Sequence, residues 1–318
     1  MHPALSVIFF TTLSGAGYGL LVWAGLGALM PDMPARTPFF AVVLGLVLST
    51  IGLISSMFHL GKPGRAWRAI SQWRTSWLSR EGLAAIATIG ISALLFAVLL
   101  PHVIDESLLG AWARFSIGGV LIALTTMTLA ITTVHCTAMI YASLKPIPAW
   151  RHPLVPITYL LFALFTGGLL FCAIATTLGR PVSNMAALAS IGAAIALLVL
   201  KLKYWRDIDR SPLPQSRGDA IGLPNRKPSV FERPHTEANY ITKEMGFAIA
   251  RKHSRALRMA AALLFSVLPI LLLLPAWLFV HIDAAPWFTG AALFALAGAF
   301  VERWLFFAEA KHLVTLYY

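Results

Sequence analysis

The stretch from His59 to Glu81 concentrates the reactive side chains of this protein. It brings one imidazole, one carboxyl, five cations (Lys62, Arg65, Arg68, Arg74 and Arg80) and three indoles (Trp67, Trp73 and Trp77) to the boundary between two apolar segments. That inventory suits a quinone. The quinone ring is flat and apolar, so aromatic walls accommodate it, and its two oxygens need hydrogen-bond partners. Its reduction moves two protons with two electrons, so a group titrating near neutral pH has to be in reach. His59 fits the role of proton donor and Glu81 that of a relay, with Arg65, Trp67, Arg68, Trp73, Arg74 and Trp77 shaping the site. Plainer readings stand beside this one. An interfacial histidine bonds to backbone, and a carboxylate at a helix N-terminus is favoured by the macrodipole. The arginines equally serve to set membrane topology.

Ionisable residues at membrane depth are costly, so each needs a reason. Glu302, Arg303, Glu309, Lys311 and His312 fall together at the end of the last apolar segment. Glu302 and Glu309 are seven apart and share a helix face. Glu302 and Arg303 are sequence neighbours that do not face each other, so Arg303 is expected to pair with another helix. A structural ion pair and a part in a proton path are both open readings. His135, beside Cys136, is a candidate ligand for haem b, with His59 or His312 as a second ligand, although no histidine pair on facing helices is evident from the spacing. No other metal ligands stand out. Cys136 and Cys172 are too few for an iron–sulfur cluster, which usually takes four thiolates, and the Cys-x-x-Cys-His signature of c-type haem is absent. Both cysteines read as small core residues.

The elements that must position these groups are transmembrane helices. The 318 residues are 58% hydrophobic and 12% charged, about half the charged share of a soluble domain, and mean hydropathy is +0.76. Such a sequence does not supply enough polar groups to cover itself in water. A span needs about 20 apolar residues, and eight candidates follow, at 4–29, 38–60, 82–101, 115–143, 154–178, 185–203, 259–281 and 287–312. The expected fold class is therefore all-α, a polytopic bundle forming one membrane domain over 1–318. The first apolar run is too long for a signal-peptide core and reads as a retained span. Gly15 and Gly19 give that span a small-residue spacing that lets helices approach closely.

The net charge of +12 reads as topology rather than as affinity for nucleic acid. Of the 25 Lys and Arg residues, 21 fall in 61–80, 144–152, 201–258 and at Lys311, all on one side. The other side receives Arg36, Arg114 and Arg180. This asymmetry places both termini, the basic 61–81 loop and the long 204–258 loop in the cytoplasm. Trp67, Trp73, Trp77, Trp150 and Trp205 lie near the same boundary, as an aromatic belt would. The long loop closes on 239–258, where apolar and basic residues alternate in the manner of an interfacial helix. That helix would lie on anionic lipid or offer a docking surface to a cytoplasmic partner.

Four segments carry a resemblance that runs along nearly the whole sequence. They are the start, His2-Pro-Ala-Leu-Ser-Val, then His59-Leu-Gly-Lys-Pro-Gly-Arg-Ala-Trp-Arg-Ala, Trp77-Leu-Ser-Arg-Glu-Gly, and Glu302-Arg303-Trp304-Leu-Phe-Phe. The sequence resembles the membrane-anchor subunits of the dimethyl sulfoxide reductase type, the DmsC-like family. Segments 137–150 and 234–247 are most similar to its sulfite dehydrogenase branch. The resemblance implies an eight-helix anchor in a bacterial inner membrane, a molybdopterin catalytic subunit and a four-cluster iron–sulfur subunit as partners, and electron exchange with membrane quinone, ubiquinone for the sulfite branch. It implies quinol-site roles for the positions of His59 and Glu81, and no haem. The charge asymmetry puts the His59 loop in the cytoplasm. That departs from the periplasmic catalytic subunits of the dimethyl sulfoxide reductases and agrees with a sulfite dehydrogenase. Rival readings are an anchor oxidising menaquinol for an S- or N-oxide reductase, a secondary transporter, and an anchor with no redox role. No inverted repeat supports the transporter.

Overall fold

The structure is a computed structural model that describes residues 4–58, 61–104, 112–211, 213–229, 231, 253–279 and 282–316. Among the described residues, eight helices are long and apolar enough to span a membrane: α1 Leu5–Leu29, α2 Arg36–Met57, α3 Trp77–Ile104, α4 Ile117–Ala142, α5 Leu154–Thr177, α6 Asn184–Arg210, α7 Ser254–Leu278 and α8 Ala285–Ala308. At 1.5 Å per residue they are about 33–42 Å long, enough for a hydrocarbon core of about 30 Å. Among the described residues there is no β-strand. The molecule is an all-α multi-pass membrane protein.

Burial sorts the helices. In their apolar windows α1, α5 and α8 are 67%, 56% and 61% buried, against 28–33% for the other five. The first three therefore form the interior and the rest face lipid. Lipid tails are as apolar as leucine, so close packing rather than hydrophobic burial holds such helices together. Glycines make the approach close. A Cβ on Gly17 would strike Ser49 and Gly45 of α2, and one on Gly19 would overlap the backbone of Ala163 in α5. Across that crossing Gly167 faces the Gly19 and Leu20 backbone. Gly15, the other half of the expected small-residue motif, has open space around it. Gly19→Val is therefore expected to cost about 3 kcal/mol, the upper part of the usual overpacking range. Gly15→Ala should stay within about 0.5 kcal/mol. Thermal unfolding in detergent checks both.

One far-side cation has a structural task that its sequence position does not advertise. Arg114 is buried, and its guanidinium donates to the carbonyls of Ala28, Met33, Gly27 and Met30 at 2.7–2.8 Å. These carbonyls lie at and just beyond the C-terminus of α1, where helix acceptors run short of donors and a cation also meets the negative end of the dipole; those of Gly27 and Met30 also accept the Met30 and Met33 amides. The compact ammonium of a lysine cannot reproduce this fork. Arg114→Lys should lower stability by about 2 kcal/mol, the worth of a charge-assisted hydrogen bond, read as a lower Tm.

The other end of the bundle gathers the polar loops. The Leu313 amide donates to the Pro146 carbonyl at 3.0 Å, and Tyr204 donates to the Ala149 carbonyl at 3.2 Å. Two boundaries differ from expectation in a way that matters. Helix α3 begins at Trp77 rather than 82, which takes Glu81 into the helix, and α6 continues to Arg210 rather than 203, which takes Lys201 well inside it. Beyond α6, Arg217–Ala220 forms one short helix closed by a Ser216–Asp219 capping box. Of the interfacial helix expected at 239–258, residues 239–252 lie outside the described residues, and 254–258 form the start of α7.

Candidate functional site

The basic segment leading into α3 is held by the helix it precedes. Pro63–Gln72 is a 3-10 stretch. The Ser79 hydroxyl donates to the Ala69 carbonyl, and Arg80 donates to the carbonyls of Trp73 and Arg74 at 2.9 and 2.6 Å. The Arg80 guanidinium also covers the Trp77 ring, 4.4 Å from its centroid. These contacts fold the segment back over the start of α3.

The candidate residues divide into two groups. Arg65, Trp67, Arg68, Trp73 and Arg74 are exposed. Arg68 and Arg74 each stack on the preceding tryptophan, at 5.6 and 5.4 Å, so the group forms an outward, cationic and aromatic platform rather than the wall of an internal pocket. Trp77 and Glu81 turn inward. The Trp77 ring meets His135 of α4 edge-on, with centroids 6.0 Å apart, which brings the haem candidate next to the candidate site. His59 lies outside the described residues. His312, the other suggested haem ligand, accepts from the Val314 amide at 3.0 Å within its own turn.

Glu81 is 4% exposed. It sits in the second turn of α3, whose first turn carries no acidic residue, so the helix dipole, which fades within one turn, does not account for it. Thr137 of α4 lies beside it but donates its hydroxyl to the Thr133 carbonyl at 3.0 Å, and the Glu81 Oε1 is buried without a partner. Tyr18 of α1 and Cys136 and Tyr141 of α4 are its electrostatic neighbours. A buried carboxyl with an unpartnered oxygen costs free energy, and an exchangeable proton is one reason to keep it. Sequence reading missed Tyr18 and Thr137. The signal was faint, a lone phenol in a Gly-x-Gly and a threonine two residues from His135.

A second charged cluster crosses the bundle. Lys201 of α6 pairs with Glu302 of α8, and Arg303 contacts the other Glu302 oxygen at 3.3 Å. All three are buried. This corrects the expectation that Glu302 and Arg303 would not meet. The flexible arginine curls back to the carboxylate while its guanidinium stacks on Tyr159 and Phe162 of α5, 3.5 and 5.2 Å from their centroids. Nearer the loop end, Arg258 bridges Glu309 at 2.9 Å and Asp209 at 2.6 Å. Burial pushes the Glu309 carboxyl up, against the opposing pull of Arg258. Among the described residues, no three His, Cys, Asp or Glu side chains gather as a metal site.

Comparison with known proteins fits this architecture. The family model for the DMSO reductase anchor subunit (DmsC) matches residues 1–308. The protein belongs to that family. It is also 35% identical, over 335 aligned positions that take in all of its own length and 99% of the relative's, to the third, or C, subunit of the sulfite dehydrogenase of Allochromatium vinosum. Two anaerobic dimethyl sulfoxide reductase polypeptides of Escherichia coli, YnfH and the C polypeptide, are 25% and 26% identical, each over about half of both sequences. The anchor is thus a homologue of a sulfite dehydrogenase subunit, similar to it from end to end.

Proposed function

We propose that this anchor passes electrons from an iron–sulfur partner to a membrane quinone beside Glu81, in a complex whose molybdopterin subunit oxidises sulfite. The observation that carries the reading is the pairing of a buried carboxyl, its Oε1 unpartnered, with an exposed basic and aromatic platform at the same helix end. The platform of Arg65, Trp67, Arg68, Trp73 and Arg74 offers a surface for the iron–sulfur subunit, bringing a cluster near α3. Trp77, His135 and Glu81 would receive the quinone ring, with His59 as a further proton donor. End-to-end similarity to a sulfite dehydrogenase subunit supports the substrate.

The stoichiometry closes. Sulfite and water give sulfate, two protons and two electrons at the catalytic partner, and ubiquinone takes up two electrons and two protons to become the quinol. The charge asymmetry favours a cytoplasmic side for the platform, the partners and both termini, in a bacterial inner membrane. Similarity to the two dimethyl sulfoxide reductase polypeptides supports one other reading, the same site oxidising menaquinol for an S- or N-oxide reductase.

The test is to purify the complex through a tag on this anchor and follow sulfite-dependent reduction of a soluble ubiquinone analogue. Sulfite-driven turnover is expected. An intact, molybdenum-loaded complex that ignores sulfite but oxidises a quinol with S- or N-oxides would overturn the assignment in favour of the reductase.

A further inference from the structure

Between Glu81 and the Glu302 cluster lies a small cavity with polar walls. The centre of a water molecule has about 20 Å³ to occupy in it, enough for a single water. Thr137 and Tyr18, the neighbours of Glu81, line one part of it, and Tyr159 and Arg303 line another. Thr12 joins them from α1. The Thr12 and Tyr18 hydroxyls are buried without a hydrogen-bond partner, although buried hydroxyls in a close-packed interior are normally satisfied. Nearby Thr11 and Ser14 bond back to their own helix at 3.0 and 2.6 Å. The local backbone is unusual too. Phe10–Ser14 is a π-helical turn inside α1, a distortion that recurs at functional sites.

From the cavity the polar line continues. Arg303 contacts Glu302, and Glu302 pairs with Lys201. Two helical turns further along, Glu309 and Arg258 border an open cleft of about 730 Å³ at the loop end, shared with Asp209, His152 and Lys311. A polar seam therefore crosses the apolar interior from the α3–α4 side to the α6–α7–α8 side, and its far end is wet.

We propose that this seam is a proton path, in which a water held by Thr12 and Tyr18 links Glu81 to Glu302, held between Arg303 and Lys201, and on to the cleft at Glu309. The inference rests on the quinone reading above. Of the two protons that the quinone takes up with its two electrons, this route supplies one from solvent at the cleft, and Glu81 is restored by the next proton along the line. The water satisfies two of the three orphan hydroxyls in the cavity wall, that of Tyr159 being the third.

The decisive variants remove hydroxyls that have no partner within the fold. Thr12→Val and Tyr18→Phe, singly and together, should leave the Tm unchanged, because no intramolecular hydrogen bond is lost. In the purified complex, with sulfite as donor and a soluble ubiquinone analogue as acceptor, the double variant should turn over about tenfold more slowly, less than the loss of a general acid or base itself because Glu81 is still present. Its solvent deuterium isotope effect should rise, and reduction of the iron–sulfur clusters by sulfite should be unaffected. Thr12→Ser, which keeps the hydroxyl, should retain normal turnover. Turnover and isotope effect unchanged in the double variant, with Glu81→Gln impaired, would overturn the seam and leave the quinone site standing. If Glu81→Gln also turned over normally, the quinone reading itself would fall.

Discussion

Glu81→Gln is expected to lower quinone turnover about 100-fold, at the modest end of the range for a lost general acid or base, while the complex still assembles. Glutamine matches glutamate in shape, so the packing of α3 against α1 and α4 should hold. What it loses is the proton. The side chain is buried, with Oε1 unpartnered, so removing its charge relieves rather than creates a desolvation cost. The Tm of the variant should equal or exceed that of the parent. Loss of activity with retained or improved stability separates a working carboxyl from a structural one. The measurement is steady-state turnover beside thermal unfolding of the same preparation. A variant that lost both together would point to a structural task for Glu81.

Glu302→Leu is expected to destabilise the protein by about 3–5 kcal/mol, the usual consequence of stripping one partner from a buried ion pair. The reason is the charge count within the cluster. Lys201 and Arg303 converge on a single carboxylate, so removing it leaves two cations facing each other inside the bundle. Lys201→Met should cost much less. It leaves Glu302 paired with Arg303, and Arg303 keeps its stacking on Tyr159 and Phe162. The two variants differ in sign of residual charge and little in volume, so the ordering is a test of electrostatics rather than packing. The amount of folded protein recovered from membranes, with the Tm of what is recovered, gives that ordering. Equal losses would mean that the cluster acts through packing alone.

Much of the architecture was legible in the sequence because the bilayer leaves few alternatives. A run of about 20 apolar residues has to be a helix, since nothing in lipid satisfies its backbone otherwise, and eight such runs give eight spans. The boundaries that failed did so at charged residues. Arg80 and Glu81 look like loop, yet the α3 helix runs through them, because Arg80 reaches back to the Trp73 and Arg74 carbonyls and Glu81 turns into the bundle. Lys201 looks like the edge of a cytoplasmic segment, yet it is buried against Glu302. Sequence hydropathy scores each charge as if it were solvated and cannot see a partner contributed by another helix. The same limit hid Arg114, whose four acceptors lie more than 80 positions away.

The candidate site was half legible. The density of His, Glu, Arg and Trp between 59 and 81 marks the region, but composition could not divide it. Only the fold separates the outward group at Arg65, Trp67, Arg68, Trp73 and Arg74 from the inward pair Trp77 and Glu81. It also adds Tyr18 and Thr137, which lie 63 and 56 positions from Glu81 and carry no motif.

The central claim is that the quinone ring binds where α3 begins, against α4. Photolabelling of the purified complex with an azido-quinone, followed by peptide mapping, tests it directly. The account predicts label on peptides containing Trp77–Glu81 or His135–Thr137, displaced by excess unlabelled ubiquinone analogue and reduced in Glu81→Gln. Displaceable label confined instead to the apolar cavity between α1, α5 and α6, where Trp23, Phe165 and Cys172 face one another at the other end of the bundle, would contradict it.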